Sequence, residues 1–445
     1  MLEPMELVEE YIEIPGFKNT SNKISHLFEL VAAHIPKNDI PVRLAVTESS
    51  ESTLKCEIGL IRNGVKSYPK KKNTVFNFRK RPFQSCEKFN VVLLVPTGIG
   101  AEIGGHAGDA TSISRLIATT CDSLITHPNV VNASDLCELT DNTLYVEGSL
   151  ISRLLMGDIG LLKTNANCLR VFVDAHKEKR IYELAINAIN AARATYGIRF
   201  DSIDEINPPS ELQIEFASSG RATGKISNFE NLMQMATSSG DFEAIALSTV
   251  IHPPQGKDQC DFFSHYFSNG GVNPWGGVEA LLTHGLSTLL DIPTAHSPML
   301  ESLDILNTDL GIVDPRMAAE SISMTYLQCI FKGLRQAPKV LTDAASFQAR
   351  GVLAAEDISC LVIPQGCLGL PTLAALEQGI PVIAVKDNKN LMKNDLASLG
   401  WRSGQYFEAE NYLEAVGLLT AMKAGLDPKG LTRPIDFVPI RPRNR

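Results

Sequence analysis

The segment at 91–95 reads VVLLV and passes directly into 96–110, PTGIGAEIGGHAGDA, which is followed by a helical pattern at 111–121. An unbroken run of β-branched residues and leucine marks a strand covered on both faces. Such a strand needs helices above and below it, which commits the chain to an α/β fold with mostly parallel sheets. The rhythm recurs: strand-like runs at 123–126, 144–146, 169–173 and 244–251 alternate with helical patterns at 149–156 and 181–196. Beyond 277 it continues through 278–290, 292–295, 317–334, 338–341, 360–363, 372–378 and 381–385. Two stretches echo each other, VLLVPTG at 92–98 and CLVIPQG at 360–366, each a strand followed by Pro-x-Gly. The expected architecture is therefore two Rossmann-like halves plus a small N-terminal α/β unit. The expected boundaries are 1–88 for the N-terminal unit, 89–270 and 271–426 for the two halves, and 427–445 for a Pro- and Arg-rich surface tail. The glycine-rich GGVNPWGG at 270–277 serves as the hinge, with Trp275 either anchoring it or stacking on a ligand.

Charge and cysteine content narrow the function classes. Lys and Arg total 41 against 50 Asp and Glu, a net charge of -9, which argues against a general nucleic-acid binder. The basic patch of Lys70, Lys71, Lys72, Arg79, Lys80 and Arg81 reads as a solvated connector. The nine cysteines are scattered, with no Cys-x-x-Cys pair, as expected of reduced thiols without a cysteine zinc site. The start, MLEPMELVEEYIEIPG, lacks the features of a signal peptide, and no apolar stretch approaches membrane-spanning length. The expectation is a cytoplasmic protein with no membrane and no nucleic-acid partner, and with a homo-oligomer left open.

The candidate site begins in the glycine-rich loop. Gly98, Gly100, Gly104, Gly105 and Gly108 lie between a strand and a helix start, where backbone N–H groups and the helix dipole favour phosphate or carboxylate. Asp109 is either an acid–base group or the helix N-cap. The spacing matches neither the dinucleotide fingerprint nor a Walker loop. The bland alternative is a loop that only packs against its neighbours. His106 lies within the loop, and His127 ends the next strand in THPN with Asn129 and Asn132 following. His252 and His296 end two more strands. Strand C-termini share one rim in an open parallel sheet, so these four histidines are candidates to converge for acid–base work, phosphate contact or metal binding. Glu147 ends a strand in LYVEGS, as a base, a hydroxyl acceptor or a charge complementing a helix start.

A second turn, at 361–390, reads LVIPQGCLGLPTLAALEQGIPVIAVKDNKN. Through Gly366, Gly369, Thr372, Glu377 and 379–383 it resembles the donor-binding region of two-domain GT-B nucleotide-sugar glycosyltransferases. That resemblance implies an anion or nucleotide site, with Gln365, Gly366 and Thr372 facing a bound anion. Cys367 in the same turn is either a nucleophile or a small packing residue.

The runs VPTGIGAEIGGHAGDA, CDSLITHPNVVNASDL and LYVEGSLISRLLMG, with QGCLGLPTLAALEQGIPVIAVKDN, are similar to a conserved-domain family of unknown function best known from photosynthetic bacteria and plant plastids. The resemblance implies that these segments form one functional unit and carries over no catalytic residue. The leading expectation is an enzyme that acts on a phosphorylated or carboxylated small molecule, with a nucleotide as an option, by group transfer in an interdomain cleft. The competing expectations are a metal-dependent lyase, hydrolase or isomerase built on the histidines, and a non-catalytic metabolite-binding regulator. Neither a cofactor nor a metal is specified by the sequence.

Overall fold

The computed structural model describes residues 3–17, 23–435, 437, 438 and 440. The last residues of the expected surface tail, 441–445, lie outside the described residues. The chain is α/β.

A six-stranded sheet, parallel throughout, has the order Tyr406–Ala409, Val382–Val385, Ile358–Pro364, Asn90–Leu93, Ser123–Thr126, Thr143–Tyr145. Read from the last strand, this is the order 3-2-1-4-5-6 of a doubly wound dinucleotide-binding sheet. The two echoing segments are its two central strands, side by side, with Leu361 opposite Val92 and Val362 opposite Leu93. Every residue of Asn90–Leu93, Ile358–Pro364 and Val382–Val385 is buried, as continuous apolar runs require.

The topology corrects the expected division at 270. The two halves are halves of one sheet, separated in sequence by a long excursion, and they are not successive domains. The excursion builds most of a second, ten-stranded mixed sheet. There, Ala244–His252 lies between Cys168–Asp174 and Thr294–Met299, parallel to both. The N-terminal strands join the same sheet, Leu7–Pro15 pairing with Ala222–Ser227 through Leu7 and Ile226. Residues 1–88 are therefore not a separate unit. The short strand Leu368–Gly369 pairs with Ile40–Ser49 and ties the two sheets together.

The expected hinge is a helix start. Asn273 accepts hydrogen bonds from Trp275 N at 3.0 Å and Gly276 N at 3.1 Å, and Pro274 opens the helix Pro274–Leu290. Gly277 is needed because a Cβ there would lie 2.3 Å from the Ala222 carbonyl oxygen of the mixed sheet. The basic connector is likewise only partly solvated. Arg81 is buried and donates to the carbonyls of Gln378 (2.9 Å), Ile358 (3.0 Å), Gly379 (3.1 Å) and Ala355 (3.3 Å).

Candidate functional site

Between the two sheets lies a cavity of about 1340 Å³, including its solvent-open mouth. Phe262, Phe263, Phe267 and Trp275 cluster on its lining, with polar Asn273 and Glu320 beside them. A second cavity of about 850 Å³ adjoins it, and the two share Thr97, His127, Gly148, Ala280 and His284.

At this waist stands His284, on the helix Pro274–Leu290. Gly276, Ala280, Thr283 and His284 recur at helical spacing and line the main cavity. His284 Nδ1 is hydrogen-bonded to Glu147 Oε1. Glu147 caps the helix Gly148–Leu155, accepting from Ser149 N at 2.9 Å, Leu150 N at 3.3 Å and the Ser149 hydroxyl. Burial would push this carboxyl up, but the adjacent His284 and these hydrogen bonds outweigh it, and the net shift is down. Glu147 is thus a buried carboxylate that orients an imidazole. His284 Nε2 has no hydrogen-bond partner among the described residues.

His127 sits beside it. Val95 N donates to His127 Nε2 at 3.2 Å, which places the ring proton on Nδ1. Burial holds this imidazole neutral, pushing its pKa down to about 4. Across the cavity His296 is fixed at both nitrogens, by Thr249 Oγ1 at 2.8 Å and Glu279 Oε2 at 3.1 Å.

Of the four histidines expected to converge, His127 and His296 line the cavity. His106 does not: it is buried, with Nδ1 2.7 Å from the Tyr266 hydroxyl. Nor does His252, which is partly exposed and 3.4 Å from Glu301. Asn129 and Asn132 line the cavity, but their side chains are engaged. Asn129 donates to the carbonyls of Val95 (2.9 Å) and Gly104 (2.8 Å), and Asn132 accepts from the Tyr145 hydroxyl at 3.1 Å.

The glycine-rich loop reaches the linings only through Pro96, Thr97 and Ala107. Gly98, Gly100, Gly104, Gly105 and Gly108 line neither cavity. Close packing demands them: a Cβ would meet the Ala222 carbonyl at 2.5 Å from Gly98, that of Ala101 at 2.0 Å from Gly105, and Ala133 Cβ at 2.2 Å from Gly108. Asn388 clamps the loop at Ile103 through both backbone groups, at 2.9 and 2.8 Å. Asp109 does not cap the following helix, whose N-cap is Ala110. It accepts from Gly104 N at 2.6 Å, while its other oxygen is buried without a partner. Burial raises its pKa to about 7.

Of Gln365, Gly366 and Thr372 in the second turn, only Thr372 lines a cavity, and its hydroxyl is spent on the Cys367 carbonyl at 2.8 Å. Gln365 accepts from the Tyr406 hydroxyl at 3.3 Å, and Gly366 packs against the Met392 carbonyl. Burial pushes the Cys367 thiol up, away from nucleophilic use. Among the described residues no three His, Cys, Asp or Glu side chains assemble as a metal site.

The sequence reading missed His284, Glu279 and Glu320. Glu320 lines the cavity and accepts from Tyr266 at 2.7 Å and Asn273 at 2.8 Å. Burial raises its pKa to about 7. The available signal for His284 was polar residues at helical spacing, Glu279, Thr283 and His284, inside an otherwise apolar helix.

Comparison with known proteins places the chain in a family. It is 32% identical over 342 residues, 77% of this chain and 92% of the relative, to an uncharacterized lipoprotein of a Synechococcus species. That lipoprotein relative overturns the expectation of a cytoplasmic protein. Among the described residues no helix is long and apolar enough to cross a membrane. No solved structure matches the chain. A family model described as a protein of unknown function, DUF3326, matches residues 90–432, and the chain belongs to that family.

Proposed function

We propose that the protein is a small-molecule enzyme that moves a proton at the waist between the two cavities. The observation that carries the reading is the buried Glu147–His284 pair, whose free Nε2 stands where the cavities meet. In this reading His284 Nε2 takes a proton from the substrate. Glu147 stays ionised and stabilises the imidazolium that forms. His127, neutral and carrying its proton on Nδ1, donates to negative charge developing on the substrate. Glu279, tied at Oε2 to His296, supplies a second carboxylate on the cavity wall. Group transfer between two anion-holding turns is no part of the proposal, because none of the five glycines of the glycine-rich loop lines either cavity.

The test is incubation of purified protein with a small-molecule extract of cyanobacterial cells in deuterated water, read by mass spectrometry. At least one compound should be converted or gain deuterium. His284→Ala should slow that conversion by about 10²–10⁴-fold. Identical profiles for wild type and His284→Ala would leave a binding protein in place of an enzyme.

A further inference from the structure

The main cavity is lined by three carboxylates and by no lysine or arginine. Glu147 faces His284, and Glu279 faces His296. Glu320 differs. It is 5% exposed, and the donors that hold it are all neutral: the Ala107 N–H, the Asn273 amide at 2.8 Å and the Tyr266 hydroxyl at 2.7 Å. A carboxylate buried without a counter-charge is costly, which is why burial raises its pKa to about 7. Tyr326, on the same lining, supplies no charge, because burial, with Glu320 and Glu279 near it, pushes its phenol up. Glu279 is tied to His296 through Oε2 only, and its Oε1 has no hydrogen-bond partner among the described residues.

A second observation of a different kind lies beside Glu320. Ser134 lines the cavity and is 2% exposed, and its hydroxyl is buried without a hydrogen-bond partner. Two contacts bring it to Glu320. The residue before it, Ala133, packs on Gly108, next to the Ala107 N–H that holds Glu320. The residue after it, Asp135, accepts from the hydroxyl of Ser323, a little beyond Glu320 in the chain. Buried polar groups are satisfied almost without exception, so an orphan hydroxyl on a cavity lining points to a partner from within the cavity. A hydroxyl oxygen beside carboxylates suits a partner that donates hydrogen bonds and carries positive charge. The aromatic cluster of Phe262, Phe263 and Trp275 adds apolar surface and π-electron density, which attracts cations rather than anions.

We infer that the main cavity takes a protonated amine, whose ammonium group lies among Glu320, Glu279 and Ser134 and whose apolar body lies along the aromatic cluster. The inference rests on the proposed proton-transfer reading, for which it names the substrate class. Binding can nevertheless be measured without turnover.

Trp401→Phe leaves Trp275, on the cavity lining, as the sole tryptophan reporter. Its emission is titrated at about pH 8, above the value of about 7 for Glu320, with octylammonium, octyltrimethylammonium, octan-1-ol and octanoate. Octylammonium should bind at least about tenfold more tightly than octan-1-ol, and octanoate should bind most weakly. Octyltrimethylammonium, which has the charge but no N–H, should bind more weakly than octylammonium. Glu320→Gln keeps the side-chain volume, removes the charge and should abolish the preference for octylammonium over octan-1-ol. Glu279→Gln should reduce that preference as well, and serves if the first variant fails to fold. Ser134→Gly removes the hydroxyl at a residue whose φ of 58° glycine accepts readily. It should weaken octylammonium by about three- to tenfold and leave octyltrimethylammonium unchanged.

No binding of octylammonium, equal binding of octan-1-ol, octanoate or octyltrimethylammonium, an amine preference that survives both glutamine substitutions in folded protein, or no effect of Ser134→Gly would overturn the inference. Failure of the proton-transfer reading shows separately, as conversion untouched by His284→Ala while the amine preference stands.

Discussion

The Glu147 carboxylate accepts from two backbone N–H groups, a serine hydroxyl and an imidazole, while its side chain is 2% exposed. Replacing it with glutamine puts an amide N–H₂ among groups that are all donors, and removes the charge that faces His284. Glu147→Gln should cost about 2–4 kcal/mol, read from urea unfolding near neutral pH. The folded-state pKa of Glu147 lies below its unfolded value, so its contribution is full above the ordinary glutamate range and is lost as pH falls through the folded value. The gap between wild type and Glu147→Gln should therefore narrow in acid. Asp109 behaves oppositely. Burial raises its pKa from 3.8 to about 7, so the folded state holds that proton more tightly than the unfolded chain does. Relative to Asp109→Asn, wild type should lose stability as pH rises from about 4 through about 7, seen as a falling urea midpoint. A flat difference between the two proteins would show that the folded state does not hold the Asp109 proton. His127, Glu147, Asn129 and Asn132 were legible in the sequence because each follows a strand end, where polar residues interrupt an apolar run. His284 was not legible, because its partner lies 137 residues away and its helix reads as core.

At the scale of elements, glycines explain both what the sequence shows and what it conceals. Five glycines in one loop look alike in a string of letters, whether they cradle a ligand or admit a neighbouring backbone. Only the position of residues 222 and 133, far along the chain, reveals the second use. The helix Pro274–Leu290 makes the same approach at Gly277. Gly277→Ala would force a Cβ to 2.3 Å from the Ala222 carbonyl oxygen and should destabilise by about 1–3 kcal/mol. Gly417 is the control: it lies exposed inside the helix Tyr412–Lys423, with nothing within 4 Å of an added Cβ. Gly417→Ala should stabilise by about 0.5–1 kcal/mol through helix propensity alone. Opposite shifts in thermal melting from these two identical substitutions would separate packing from backbone entropy. Two downward shifts would contradict the open surroundings of Gly417.

For the whole molecule, the alternation of strands and helices made the α/β class readable, and the echo between 92–98 and 360–366 marked the two central strands. Their adjacency could not be read, because strand order depends on contacts across some 270 residues of intervening chain (a loop-closure matter, not a local one). Local pattern favoured cutting the chain at the glycine cluster near 270, yet that cut separates neighbouring strands of one sheet. The consequence can be tested by expressing residues 89–270 alone. In that fragment Asn90–Leu93 would lose its parallel partner Ile358–Pro364, and a wholly buried apolar strand would become an open edge. The mixed sheet would lose Leu7–Pro15 beside Ala222–Ser227 and Thr294–Met299 beside Ala244–His252. The helix Pro274–Leu290, which packs over those strands and carries His284, would also be missing. The fragment should aggregate or lack a cooperative thermal transition by circular dichroism, while the intact chain should melt with both sheets in one transition. Cooperative unfolding of the isolated fragment would mean that the first three strands of the parallel sheet hold without the last three. The waist between the cavities would then be an interface between two independently stable bodies, and closure of one on the other would become part of how His284 meets its substrate.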